Sequence, residues 1–230
     1  MMTAELPADT RIMGIVHAAF RRDLARVRLV LTTTPVPQGS RRQAVAGQVL
    51  WLTEMLHAHH EAEDAGLWPF IRQRNPAAAE LLDAMEADHR AIVPAVEAVT
   101  ATAQQYRSTE SDGPRLELVQ ALNSLTDVLL PHLDREVQEA MPVVAETLTA
   151  PDLDAWQHKY VVKPKSLWQL GLEGHWLIDE IDPEGYQVAA HQVPAVPRFI
   201  LLHGFARPYR RRTNAWWSPE VPARHRAAPR

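Results

Sequence analysis

His57-Ala58-His59-His60-Glu61-Ala62-Glu63-Asp64-Ala65-Gly66-Leu67-Trp68-Pro69 sets three histidines and three acids within eight residues. A helix repeats every ~3.6 residues, so His59 and Glu63, four apart, share one face. An imidazole beside a carboxylate on a helix face can ligate a metal. If buried, both need a partner, because an unpaired polar group costs several kcal/mol in a core. The chain offers one further on. His132-Leu133-Asp134-Arg135-Glu136, ending in Met141-Pro142, repeats the spacing of His59 to Glu63 ending in Trp68-Pro69, with each proline ten positions after its histidine. His17 precedes His59 by 42 residues and His89 precedes His132 by 43. This reads as two helical hairpins in tandem, each giving one lone histidine and one His-x-x-x-Glu pair.

The 230 residues, 46% apolar and 23% charged, suit an ordinary globular protein with a substantial core. The absence of cysteine excludes disulfides, thiolate metal sites and cysteine nucleophiles. No leader is expected from the first ten residues, and no apolar run reaches the ~18 residues of a membrane span, so a cytoplasmic location without a membrane partner is the expectation. The net charge of -4 is unevenly spread: residues 207–230 hold seven arginines against Glu220.

Apolar spacing predicts helices over about 10–31, 41–74, 77–106 and 114–148, with Thr10 as a cap and Pro114 in a first turn. Four such helices with short links read as an all-α, up-down-up-down bundle over residues 10–148. Pro94 and Pro131 lie beside histidines and are expected to distort their helices, either to aim those rings or as ordinary kinks. Residues 149–230 form a C-terminal extension, helical and irregular. One or two short helices are expected near Leu167–Ile181, an extended stretch over 185–197 and a last helix over 198–212, with a basic tail from about 207. The extension is expected to pack on the bundle.

In an antiparallel bundle His17, His59, Glu63, His89, His132 and Glu136 can meet at one level. Four imidazoles and two carboxylates suit two metals bridged by the glutamates. His60 has Leu133 as its counterpart. If His60 also ligates, one metal has three histidines and the other two, leaving an open position for a small ligand; otherwise it faces outward. Glu54-x-x-His57 and Glu86-x-x-His89 have ferritin-like spacing, but helix one lacks an interior glutamate and helix four a Glu-x-x-His. His57, Glu61 and Asp64 read as flanking residues, and His158, His175, His191 and His203 as structural.

These motifs resemble those of the hemerythrin-like (HHE cation-binding) family: a lone histidine on helix one, His-His-x-x-Glu-Asp ending Leu-Trp-Pro on helix two, a lone histidine on helix three and His-x-x-x-Glu on helix four. The resemblance covers about residues 10–148. It implies a non-haem centre of two iron ions with carboxylate and oxo or hydroxo bridges, held by His17, His59, Glu63, His89, His132 and Glu136, with His60 at a position that often supplies a further ligand. The function it implies is binding of, or reaction with, dioxygen, peroxide or nitric oxide, for carriage, sensing or peroxide decomposition; if an enzyme, the chain is a catalase- or peroxidase-like oxidoreductase. The alternative is a regulatory protein with a structural or iron-sensing site and a protein partner at its tail. No nucleic-acid partner is expected; the run Arg210-Arg211-Arg212 reads as a loosely packed or solvated tail. Whether Tyr160 or Tyr186 plugs an open iron position is a question the residues pose.

Overall fold

The computed structural model describes residues 7–217. It is all-helical: among these residues the one strand-like feature is an isolated antiparallel bridge between Pro7 and Thr149. Four long helical stretches come first. They are α1 (Arg11–Thr32); α2 (Gly39–Ala62), continued by a π turn (Glu63–Leu67) and α3 (Trp68–Arg74); α4 (Ala79–Ser108); and α5 (Gly113–Arg135), continued by a second π turn (Glu136–Ala140) and α6 (Met141–Thr147). These match the four predicted helices within a few residues.

The chain widens just before Pro69 and Pro142. There the N–H of Trp68 reaches back five residues to the carbonyl of Glu63, and that of Met141 to Glu136. Such π turns add one residue per turn and recur at functional sites. α4 and α5 continue through Pro94 and Pro131, with no widened turn at either. Both prolines are exposed. The hydrogen bond each removes is therefore on the wet side of its helix, where water satisfies the freed carbonyl.

The apolar interior divides into two clusters, and the division falls at the same place on every helix. On α1, Met13 belongs to one cluster and Ala19 to Leu31 to the other; on α2, Val45 to Leu56 precede the break and Ala62, Leu67 and Trp68 follow it. On α4, Leu82 and Met85 lie on one side and Ile92 to Tyr106 on the other, and Leu133 is separated in the same way from Ala140 and Met141. The breaks are occupied by His17, His59, His60, Glu63, His89 and Glu136, with His132 beside Leu133 at its edge. A polar layer thus crosses the core between two apolar ones.

Residues beyond 149 are more helical than their sequence suggests: α7 (Ala150–Trp156) and a third π turn (Gln157–Val162), α8 (Leu167–Ile178), α9 (Pro183–His191), α10 (Ala195–Gly204) and α11 (Ala206–Trp216). The expected extended stretch over 185–197 is corrected, because most of it lies in α9. Asp182 Oδ1 accepts from the N–H groups of Glu184 and Gly185, both at 2.9 Å, and Pro183 occupies the first turn. This Asp-Pro cap is a start signal that outweighs the apparent alternation after it. Nor is the arginine run wholly solvated. Arg210 and Arg211 are exposed, but Arg212 donates from Nε to Gln48 Oε1 at 3.2 Å and covers the Trp51 ring at 4.5 Å. The tail from 218 lies outside the described residues.

Two attachments tie this segment to the long helices. Trp156 Nε1 donates to the carbonyl of Ala62 at 3.1 Å, and the Tyr160 ring lies flat against Gly66, inside the first π turn. The second attachment is buried and charged. Asp23, 1% exposed on α1, accepts from Trp176 Nε1 at 3.1 Å, Gln48 Nε2 at 3.0 Å, Arg22 Nε at 2.9 Å and Arg26 at 3.2 Å. Four donors satisfy a carboxylate that would otherwise be costly to bury.

Gly66 yields a test. A Cβ there would stand 2.5–2.8 Å from Tyr160 ring atoms. Gly66→Ala is expected to destabilise the protein by about 1–3 kcal/mol, the usual cost of overpacking. Adding Tyr160→Ala should recover part of that loss, as read from urea midpoints of the two single variants and the double.

Candidate metal centre

Each candidate side chain arrives by the helical spacing that singled it out. His17 comes from α1, His59 and His60 from the last turn of α2, Glu63 and Glu136 from the opening residue of each π turn, His89 from α4 and His132 from the last turn of α5. Six of the seven are buried, and only the edge of His59 reaches the intermediate range.

Their ligand atoms form two triads. His60, His89 and His132 make one, and His17, His59 and Glu136 the other, with the atoms of each triad within 4.8 Å of one another. The carboxylates span both. Glu63 places one oxygen 3.3 Å from His59 Nε2 and the other 3.6 Å from His89 Nε2. Glu136 Oε2 lies 3.2 Å from His17 Nε2 and 3.8 Å from His132 Nε2. His60 faces inward, its ring stacked on His89 at 4.1 Å and its Nε2 buried.

The outer ring nitrogens determine what the inner ones carry. His17 Nδ1 lies 3.2 Å from the carbonyl of Leu133, which can only accept, so it carries the proton. His89 Nδ1 faces Asp64 Oδ1 at 2.8 Å and His132 Nδ1 faces Asp88 Oδ2 at 3.4 Å. With the proton held outside, Nε2 of all three presents a lone pair inward, toward carboxylate oxygens. Acceptors therefore face acceptors. Seven buried atoms of the cluster make no hydrogen bond: Nε2 of His60, His89 and His132 and both oxygens of Glu63 and Glu136. At about 1–3 kcal/mol for each unsatisfied buried group, such a cluster would cost as much as the whole stability margin of a typical domain. Cations among these atoms would satisfy them together, and a donor set of imidazole and carboxylate without thiolate fits iron or manganese.

Electrostatics keeps the imidazoles ready to ligate. Burial, reinforced by the neighbouring histidines, lowers His59 to about 3 and pushes His60 well down. Burial likewise lowers His132 to about 4, against the pull of Glu136. The glutamates split. Burial and then Glu136 raise Glu63, whereas the imidazoles of His17, His59 and His132 overcome burial and hold Glu136 down.

Other candidates stay apart. His57 and Glu61 are exposed and 3.8 Å from one another. Glu54 is exposed and Glu86 pairs with Arg72 at 2.9 Å, so the two Glu-x-x-His spacings bring no carboxylate into the cluster. Asp64 orients His89. Asp88, which orients His132 and pairs with Arg135, is absent from the residues picked out by sequence. Tyr160 packs on the first π turn, but its hydroxyl accepts from Lys159 Nζ at 3.0 Å on the exposed side.

A family model described as "Hemerythrin HHE cation binding domain" matches residues 9–144. Comparison with curated proteins and with solved structures gave no match.

Two outcomes follow from this geometry. Asp64→Ala frees the His89 ring and should weaken metal binding about 10–100-fold in a chelator competition, with the fold retained. Metal-free protein should lose stability on acidification. Below pH 6.5 the unfolded chain protonates His59, His60 and His132, which the folded chain keeps neutral down to about 4 for His132 and about 3 for His59. Glu63, raised in the folded state, works oppositely above its unfolded value of 4.5. Three histidines against one carboxylate give a net fall of roughly 1–3 kcal/mol between pH 7 and 5, measurable as a drop in urea midpoint; a flat or rising midpoint would contradict the assignment.

Proposed function

The chain belongs to the hemerythrin HHE cation-binding family, and from that membership we propose that it is a di-iron protein which binds or reacts with a small oxidant: dioxygen, peroxide or nitric oxide. The four long helices form an up-down-up-down bundle in this reading. The observation that carries it is the convergence of buried, partnerless acceptors on one layer of the core, supplied as two triads joined by two carboxylates.

His60, His89 and His132 would hold one iron and His17 and His59 the other, with Glu63 and Glu136 within reach of both. Two irons held in this way would supply one-electron redox chemistry and a place for a small ligand to bind. The chain's own residues do the rest. The carbonyl of Leu133 and the carboxylates of Asp64 and Asp88 hold protons on the outer ring nitrogens, so that the inner ones stay free. Leu56, Ile92 and Leu129 wall the layer on one side and Leu67, Trp68 and Met85 on the other, each at most 2% exposed, which excludes bulk water and large substrates. A small uncharged or weakly acidic ligand fits this enclosure best. Carriage, sensing and detoxification share these requirements and are separated by turnover.

The test is iron content joined to visible absorption. Freshly loaded protein should hold two irons per chain, with bands that shift on adding azide or peroxide. His59→Ala and His132→Ala should each lose at least one of the two irons. Unchanged stoichiometry in both variants would overturn the site, sustained peroxide consumption would identify an oxidoreductase, and reversible dioxygen binding without consumption would identify a carrier or sensor.

A further inference from the structure

Trp176 is buried at 1% exposure between the polar layer and the surface, and three contacts define its setting. Its ring meets Phe20 edge-on at 4.9 Å, and Phe20 in turn lies 5.9 Å from the ring of His59. On another side it meets Trp51 at 5.6 Å, and Trp51 is half-buried under Arg212. Its Nε1–H donates to the buried carboxylate of Asp23 at 3.1 Å. We propose that Trp176 and Trp51 relay electrons between the metal centre and the protein surface, with Asp23 holding the Trp176 proton while its indole is oxidised. The proposal rests on the di-iron reading above.

The chemistry follows from the charges around the ring. An indole gives up an electron more readily when its N–H can pass the proton to a nearby base. Asp23 is that base, 1% exposed and in direct contact. Arg22 stands over the Trp176 ring at 5.9 Å, with Arg26 beside Asp23 at 3.2 Å. The indole N–H has one acceptor in contact, Asp23 Oδ2, and that carboxylate is held in place by Arg22 and Arg26. Asp179 and Glu180, which pair with Arg26 at 2.6 and 2.7 Å, limit the excess positive charge of the group. Packing alone needs a large ring here; it does not need an indole joined to a buried carboxylate at one edge and to a second indole leading outward.

With hydrogen peroxide as oxidant, conversion of one molecule to two waters takes two electrons and two protons. Each electron passes from Trp176 through Phe20 and His59 toward the centre as the Nε1 proton moves to Asp23 Oδ2, leaving a neutral indolyl radical and a carboxylic acid. Trp51 then gives an electron to Trp176, the proton returns from Asp23, and Trp51 releases its own N–H proton to solvent. A one-electron reductant such as ascorbate restores Trp51, which regains a proton. Two passes oxidise two ascorbate anions to two ascorbyl radicals and supply both electrons and both protons.

The experiment is freeze-quench electron paramagnetic resonance of iron-loaded protein mixed with hydrogen peroxide, with tryptophan ring-deuterated, followed by peptide mass spectrometry. Wild type should show an organic radical narrowed by the deuterium and an oxygen atom added to Trp51. Trp176→Phe, with iron content and visible bands retained, should lose both signals. Trp51→Phe, a half-buried site that tolerates the change, should lengthen the radical's life at least twofold and move the added oxygen to Trp176. A purely structural Trp176 would lower stability without changing the radical's identity. A radical unchanged in both variants, or none in wild type holding its two irons, overturns the relay and leaves the metal reading intact; protein that takes up no iron overturns both.

Discussion

Acceptors face acceptors at the centre of this molecule, and the rest of the structure is arranged around that conflict. Imidazole nitrogens whose protons are held on the far side point their lone pairs at carboxylate oxygens, with His17 Nε2 3.2 Å from Glu136 Oε2 as the closest case. In water such an arrangement would relax by rotation or hydration. Inside an apolar core neither route is open, and a cation is the species that turns mutual repulsion into bonding. The two apolar clusters serve this layer from either side. They bury it, fix the heights of four helices relative to one another, and raise the cost of leaving it unfilled.

The π turns belong to the same arrangement. A regular helix after Glu63 would carry Leu67 and Trp68 around the axis by the normal angle per residue. The extra residue rotates the chain so that Glu63 faces the layer while Leu67 and Trp68, both fully buried, face the second cluster. The same widening follows Glu136. Each carboxylate thus sits where the helix changes register between a polar demand and an apolar one.

How much of this was legible in the sequence differs by region, for physical reasons. The four long helices and six of the seven inward residues follow from periodicity, because helical spacing of ligands and of leucines is a local property that packing did not override. His60 could not be placed by periodicity alone, since neighbours on a helix point about 100° apart and both inward and outward settings were open. Asp88 was missed because its role exists only between helices: it serves His132, 44 residues away. Pro94 and Pro131 sit on exposed faces where a lost hydrogen bond is repaired by water, while the widened turns precede Pro69 and Pro142. Beyond residue 149 the amphipathic pattern is weak, and α9 was hidden because its start depends on a cap at Asp182 rather than on apolar spacing. The link of Asp23 to Trp176, 153 residues apart, had no local sign.

The central claim is that the polar layer holds two metal ions between its triads, and anomalous diffraction at the iron edge on crystals of iron-loaded protein tests it most directly. The account predicts two anomalous peaks about 3.5–4 Å apart, one beside His60, His89 and His132, the other beside His17 and His59, with Glu63 and Glu136 reaching both. A single peak, or peaks only at exposed histidines such as His57, would contradict it.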